Sequence, residues 1–244
     1  MKIAFFGTGL MGTGFVRRMR ANGYDVNVWN RSVAKARALE AHGARACADP
    51  AAALVGAERI HLSLSDDASV DAVLEPLAPK IAKDTWIVDH TTTAVTPTAE
   101  RVARWNSRRC RFVHAPVFMG PSNAQEGTGL MLVSGEKARF EALLPALQKM
   151  SGNVIYMGEA SGRAAAFKLL GNLTLIGILG VLGDANRLAH AVGIPTAEAF
   201  SLFKHFNPGQ SLPARAARIE AGEFTAPLFE VAMARKDVRL MIEE

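Results

Sequence analysis

Lys168 and Asn172 stand four residues apart in GRAAAFKLLGNLTLIGILGVLGDANR, the segment from Gly162 to Arg187. That spacing puts both side chains on one face of a helix, inside an otherwise apolar run. Lysine is rarely buried without a purpose, because desolvating its charge is costly. Burial also pulls an amine's pKa toward neutrality, which suits a group that gives and takes a proton. In the competing reading Lys168 snorkels from the start of the helix and Asn172 bonds a neighbouring loop. The residues alone leave both open. Gly171, Gly177, Gly180 and Gly183 thin the same helix, so that another backbone can approach it.

A second set of residues points to a phosphate-bearing ligand. FFGTGLMG places Gly7, Gly9 and Gly12 in the G-x-G-x-x-G spacing, directly after a strand-like run and at the start of a helix-like one. Gly7 permits a tight turn, Gly9 lets a pyrophosphate reach the backbone, and Gly12 allows close helix–sheet packing. Thr8, Leu10 and Met11 complete the expected cofactor loop, and the helix start supplies N–H groups and a positive dipole end. About 20 residues on, an NAD-type site carries a carboxylate for the ribose 2′-OH. Here the sequence reads VNVWNRS, with Asn30, Arg31 and Ser32 at that place and Lys35 one helical turn on. An acid would repel a 2′-phosphate, whereas Arg31 can clamp one or stack on adenine. NADP is the expected cofactor, with NAD as the alternative if Arg31 only solvates a strand end.

These residues need elements to hold them. Strand patterns fall at Lys2 to Phe6, Asp25 to Trp29, Arg59 to Leu64, Thr85 to Asp89, Phe112 to Ala115, Leu130 to Ser134 and Val154 to Tyr156. Helical patterns fall at Met11 to Asn22, Val33 to Ala41, Ser69 to Leu77 and Thr98 to Asn106. Such alternation means parallel strands with helices on both faces. After Gly158 strand signals vanish. Gly162 to Gly193 reads as one long helix, followed by shorter ones broken at Pro195, Pro208, Pro213 and Pro227. The expected fold is α/β: a Rossmann-type doubly wound sheet over residues 1–160, a long interdomain helix, and a smaller all-α domain over 161–244.

Composition narrows the classes. Apolar residues make up 49% of 244, which predicts a sizeable core and excludes disorder. Cys47 and Cys110 lack metal-type spacing and read as buried free thiols, which suits the cytoplasm. No metal site is expected. The glycines that interrupt the apolar N-terminal run argue against a signal peptide. Leu169 to Leu182, with Asn172 and Thr174 inside it, is shorter than a membrane span and reads as a buried soluble helix. Net charge is +5, but the basic clusters Arg17 to Arg20 and Arg108 to Arg111 have no aromatic interleaving, so no nucleic-acid partner is expected.

With FGTGLMG, NRS, VDHTTT…P (Val88 to Pro97), APV…G…EGTGLMLVSG (Ala115 to Gly135), GRAAAFKLLGN and ARKDVRL (Ala234 to Leu240) in this order, the whole chain resembles the β-hydroxyacid dehydrogenase family. That family includes 3-hydroxyisobutyrate dehydrogenase, tartronate semialdehyde reductase and glyoxylate/succinic semialdehyde reductases. The resemblance implies hydride transfer between a nicotinamide and a short β-hydroxyacid or aldehyde acid. It makes Lys168 the general acid/base and Asn172 a substrate ligand. Thr92 would lie near the nicotinamide, Leu64 and Ser65 in the cofactor cleft, Lys236 near the cofactor and Asp237 near the active site. It also implies a homodimer or homotetramer formed through the second domain.

Two departures qualify this. The family carries Ser-Gly-Gly after APV to grip the substrate carboxylate; here Phe118, Met119 and Gly120 follow, with Ser122 or Asn123 as replacements. Met119, Gly120 and Ser122 are therefore the expected substrate contacts of an altered pocket. The chain also stops at Glu244, where family members carry further helical residues, which leaves Val231, Val238, Leu240 and Met241 short of cover. Truncation and oligomer contact are both open explanations. The alternatives to the dehydrogenase reading are an imine reductase on the same scaffold, against which Lys168 speaks, and a non-catalytic dinucleotide-binding module.

Overall fold

The apolar run after Lys2 forms β1 (Lys2–Phe6), whose last four residues are all buried. The computed structural model describes residues 1–222, 224–225 and 229–244; the helix break expected at Pro227 lies outside them. The chain forms two compact units, Met1–Asn172 and Leu173–Glu244.

In the first unit the chain runs α1 (Leu10–Ala21), β2 (Asp25–Trp29), α2 (Val33–Arg37), β3 (Arg45–Ala46), α3 (Pro50–Ala53), β4 (Arg59–Leu62), α4 (Asp67–Leu74), β5 (Trp86–Asp89), α5 (Val95–Ser107) and β6 (Arg111–His114). There follow β7 (Val117–Phe118), α6 (Pro121–Glu126), β8 (Leu130–Val133), α7 (Lys137–Leu147), β9 (Asn153–Tyr156) and the start of α8 (Arg163–Ala191). Six strands pair in the order β3-β2-β1-β4-β5-β6, and every pairing is parallel. The strand order reverses at β1 and β4, so a crevice opens there beyond the strand C-termini. Strand alternation sends Phe5 to one core, with Phe15, Val16 and Met19, and Phe6 to the other, with Leu62, Ile87 and Trp105.

Several expectations need correction. The helix expected to reach Ala41 ends at Arg37, where the buried Leu39 turns the chain: its carbonyl accepts from both His42 and Ala44 N–H. The helix expected to reach Leu77 ends at Leu74 and continues as a 3-10 turn, because Pro76 has no N–H to donate. β3, β7 and α6 are too short to show a period. The later strands do not extend the parallel sheet. They form a separate one, β7-β8-β9, in which β7 runs antiparallel to β8.

The second unit holds the rest of α8, then α9 (Thr196–Ser201), α10 (Leu212–Ala221) and α11 (Val231–Glu243). A hydrogen-bond relay, His190 to the Thr196 hydroxyl to Asn186 Oδ1, ties the end of α8 to the start of α9. The expected burial of Leu169 to Leu182 is not found: Leu170, Leu173, Ile176, Leu179 and Val181 are each more than half exposed. Helix α8 is also long and apolar enough to cross a membrane, by length and composition alone. An apolar run specifies that cover is needed without specifying what supplies it.

Candidate active site

The glycine loop is built by close backbone approach. Gly7 has φ +94°, and a Cβ there would lie 2.2 Å from the Ser63 carbonyl oxygen at the end of β4. Gly12 sits behind the loop, where a Cβ would come within 1.9 Å of the Gly7 oxygen. Gly9 faces open space. Thus two glycines let the loop fold and one leaves room for a ligand beside the first turn of α1, which holds no acidic residue.

Asn30 explains the absent carboxylate in part. Its Oδ1 accepts the Thr8 N–H at 3.0 Å, and its Nδ2 donates to the Ser32 carbonyl at 3.1 Å. The side chain therefore laces the end of β2 to the loop. An aspartate could make the first bond but could not donate the second.

A cleft of about 630 Å³ brings the expected cofactor residues together. Gly7, Gly9, Leu10 and Met11 line one side, Asn30, Arg31, Ser32 and Lys35 a second, and Leu64 and Ser65 a third. Trp29, Ser63, Ser69, Ala72 and Val73 complete it. None of these five carries a motif signal, although Trp29 and Ser63 directly adjoin residues that do. Thr8 and Ser122 line a neighbouring cavity of about 530 Å³ with Gly9 and Lys35. Ser122 is thus placed beside the glycine loop.

Thr92 is half-buried in the turn after β5. Its neighbours lock that turn: Thr91 Oγ1 accepts the Leu64 N–H at 3.0 Å, and Asp89 Oδ1 accepts the Thr91 N–H at 2.9 Å. His114 Nε2 reaches the Thr91 carbonyl at 2.9 Å, while Asp67 Oδ2 accepts the Ala94 N–H at 2.8 Å. Beneath lies a buried polar layer that the sequence reading missed. His61 Nδ1 and His90 Nε2 are hydrogen-bonded at 2.9 Å, and His90 Nδ1 reaches the Ala115 carbonyl at 2.8 Å. Burial pushes His90 down to about 4 and His61 well below the usual histidine range. Burial pushes Asp89 up, with His114 opposing. Arg101, fully buried, bonds both Asp67 and Asp71. Polar residues inside otherwise apolar strands, as in RIHL and RFVH, were the available signal.

Lys168 is half-buried on α8, with Nζ 4.2 Å from the centroid of the Phe118 ring. Desolvation lowers its pKa from the ordinary lysine value. The same ring presses on Gly171, where a Cβ would meet Phe118 Cζ at 2.3 Å. What the glycine admits there is a side chain; the expectation was a backbone. Beyond the adjacent residues and the helix's own backbone, nothing lies within 4 Å of a Cβ placed at Gly177, Gly180 or Gly183. Asn172 is half-buried one turn beyond Lys168. Met119 and Gly120 follow Phe118 in the same loop, and Gly120 N–H donates to Asn123 Oδ1 at 2.9 Å. Lys236 and Asp237 belong to the second unit, on α11, where they pair with each other at 2.8 Å.

Residues 2–158 match the family model described as the NAD binding domain of 6-phosphogluconate dehydrogenase. Over 197 residues the chain is 27% identical to glyoxylate/succinic semialdehyde reductase 1 of Arabidopsis thaliana, covering 80% of this chain and 68% of that protein. The chain belongs to the β-hydroxyacid dehydrogenase family. This family member is also 29% identical over 248 residues to human cytokine-like nuclear factor N-PAC, covering 99% of this chain but only 44% of that one. Its fold matches an imine reductase from Myxococcus stipitatus in complex with NADP+ at a TM-score of 0.91, with 21% identity, over 100% of this chain and 87% of that one. The family consists of nicotinamide-dependent dehydrogenases and reductases, and the first unit is its dinucleotide-binding scaffold.

Proposed function

We propose that this family member is an NADP-preferring reductase that moves a hydride between the nicotinamide and the carbonyl or alcohol carbon of a small substrate. Residues 1–160 would hold the cofactor, and 161–244 would complete the substrate site and carry the subunit contact. The observation that carries the reading is Lys168, an amine half-withdrawn from water in the GRAAAFKLLGN run, beside the Phe118 ring and with its pKa lowered by that withdrawal.

The residues present fit a dinucleotide. Gly9 leaves its backbone open, and α1 points a donor-rich end into the cleft. When bound, the cofactor supplies the hydride chemistry. Protonated Lys168 would donate to the oxygen that becomes an alkoxide in reduction, and neutral Lys168 would take the alcohol proton in oxidation. Asn172 would orient the substrate from the next turn. Arg31, Ser32 and Lys35 share the cleft with the neutral Asn30, which favours a 2′-phosphate. Thr92, Leu64 and Ser65 would lie along the nicotinamide half, with Lys236 and Asp237 serving as the resemblance implies. The two buried free cysteines suit a cytoplasmic protein.

The test is the initial rate of NADPH oxidation with a small aldehyde, wild type beside Lys168→Ala, with NADH in parallel. A loss of about 10²- to 10⁴-fold in the variant, with NADPH binding intact, is expected. An unchanged rate would remove Lys168 from the chemistry, and binding without turnover in the wild type would favour a non-catalytic dinucleotide module. Arg31→Ala should lower the NADPH-over-NADH preference about tenfold, the size of one charge-assisted hydrogen bond. An imine reductase is the second reading, favoured by Phe118 at the place where the family carries a hydroxyl.

A further inference from the structure

We propose that the Phe118 wall selects an uncharged carbonyl compound, an aldehyde or ketone with an apolar substituent, and disfavours an aldehyde acid. This rests on the reductase reading above and names its substrate class. Strand alternation in β7 decides which way the ring points. Val117 enters the core at 7% exposure, so Phe118 is turned to the other side, where it meets α8. Register with β8, Val117 opposite Met131 and Phe118 opposite Leu130, fixes that choice. Gly171 then receives the ring, since any larger residue would collide with it. The ring is thus seated by the fold, with the Lys168 amine 4.2 Å from its centroid.

What the wall offers is unsuited to a carboxylate. Phe118 and Met119 carry no side-chain donor. The Gly120 N–H, which could otherwise grip an anion, is already held by Asn123 Oδ1 at 2.9 Å, and one of the two Asn123 Nδ2 hydrogens goes to the Thr128 hydroxyl at 3.0 Å. The face of an aromatic ring is electronegative: it attracts Lys168 and repels an anion. Pairing Lys168 with a substrate carboxylate would raise its pKa and hold its proton back from the reacting oxygen. An uncharged substrate leaves that proton available. The carbonyl carbon gains the hydride, the C=O π bond opens onto oxygen, and oxygen takes the Lys168 proton, while the reduced dinucleotide is oxidised.

The experiment compares kcat/KM for pentanal and succinic semialdehyde with NADPH, in wild type and Phe118→Ser. Pentanal should be preferred by about tenfold or more, and the substitution should shift the ratio toward the acid by at least that factor. Equal or better use of succinic semialdehyde by the wild type, or an unchanged ratio in the variant, overturns the proposal. Lys168→Ala keeps the two ideas apart, because it should slow turnover of both substrates by the same ~10²- to 10⁴-fold without altering which is preferred in binding. Calorimetry on the NADP-loaded protein supplies the arm that needs no turnover: pentanamide should bind about tenfold more tightly than succinamate. Tighter succinamate binding sinks the proposal even where the protein proves inactive on both aldehydes.

Discussion

The two units treat apolar side chains in opposite ways. The first buries Phe5, Phe6, Phe15, Leu62, Trp105 and Leu147 almost completely, on both faces of one sheet. In the second, Ala189 alone among the described hydrophobic residues is buried. Leu173, Ile176, Leu179, Val181, Val231 and Ile242 are each more than half exposed there. Apolar patches of this extent mark interaction surfaces in soluble proteins. The first unit closes its own core, whereas the second leaves most of its described apolar side chains exposed. We propose that a second copy of the chain supplies the cover, as the resemblance implies; further helical chain and, for α8, a lipid bilayer are the competing occupants.

The largest effect that would sharpen this contrast comes from matched glycine substitutions. Gly12→Ala forces a methyl onto the Gly7 carbonyl at 1.9 Å and should cost about 3 kcal/mol. Gly180→Ala meets nothing within 4 Å and should stabilise an uncovered helix by about 1 kcal/mol. Urea midpoints measured on both variants decide the matter. A destabilising Gly180→Ala would mean that a second copy seats its surface against that glycine, so the opposite behaviour of the two units would end at the assembly.

Next in size is the cover itself. Leu179→Asp combined with Ile176→Asp places two charges on the exposed face of α8 and should weaken self-association about 100-fold, near 2.7 kcal/mol. Sedimentation equilibrium should show a dimer or larger for the wild type and a monomer for the double variant. A wild type that stays monomeric in buffer overturns the second-copy reading. One that dissolves only with detergent gives α8 to lipid.

The contrast also explains what could be read from the sequence. The parallel sheet, the glycine loop and the extent of α8 were legible because each rests on local rules: strand period, φ at Gly7, and an unbroken helical run from Arg163 to Ala191. The burial of α8 was misread because cover is a property of partners, which hydropathy cannot name. The 3-10 turn after Leu74 was readable in retrospect from Pro76. The lock around Thr91 was not, since it joins Leu64, Asp67, Asp89 and His114 across three strands and a helix. Phe118 was seen to depart from the family, but its seat on Gly171 required the antiparallel pairing of a two-residue strand.

A pH series tests whether the buried histidine layer belongs to the self-sufficient unit. His61, His90 and His114 are all buried and all lowered by that burial, so the fold disfavours the charged form of each. In the unfolded chain they take up protons below their ordinary value near 6.5. Their contribution is therefore complete above pH 6.5 and is lost as pH falls toward the folded values. For His90, at about 4 when folded, the loss by pH 5 is on the order of 2 kcal/mol. Asp89 works the other way: its raised pKa lets the fold hold a proton that the unfolded chain releases, so it gains stability on acidification. Three histidines outweigh one carboxyl, and the urea midpoint should fall between pH 7 and pH 5. The near-UV signal of Trp105, packed in the same unit, should follow that fall, whereas the sedimentation behaviour assigned to α8 should not change at pH values where the first unit stays folded. A flat midpoint across that range would mean that water or a rearranged tautomer already shelters the imidazolium form of the pair.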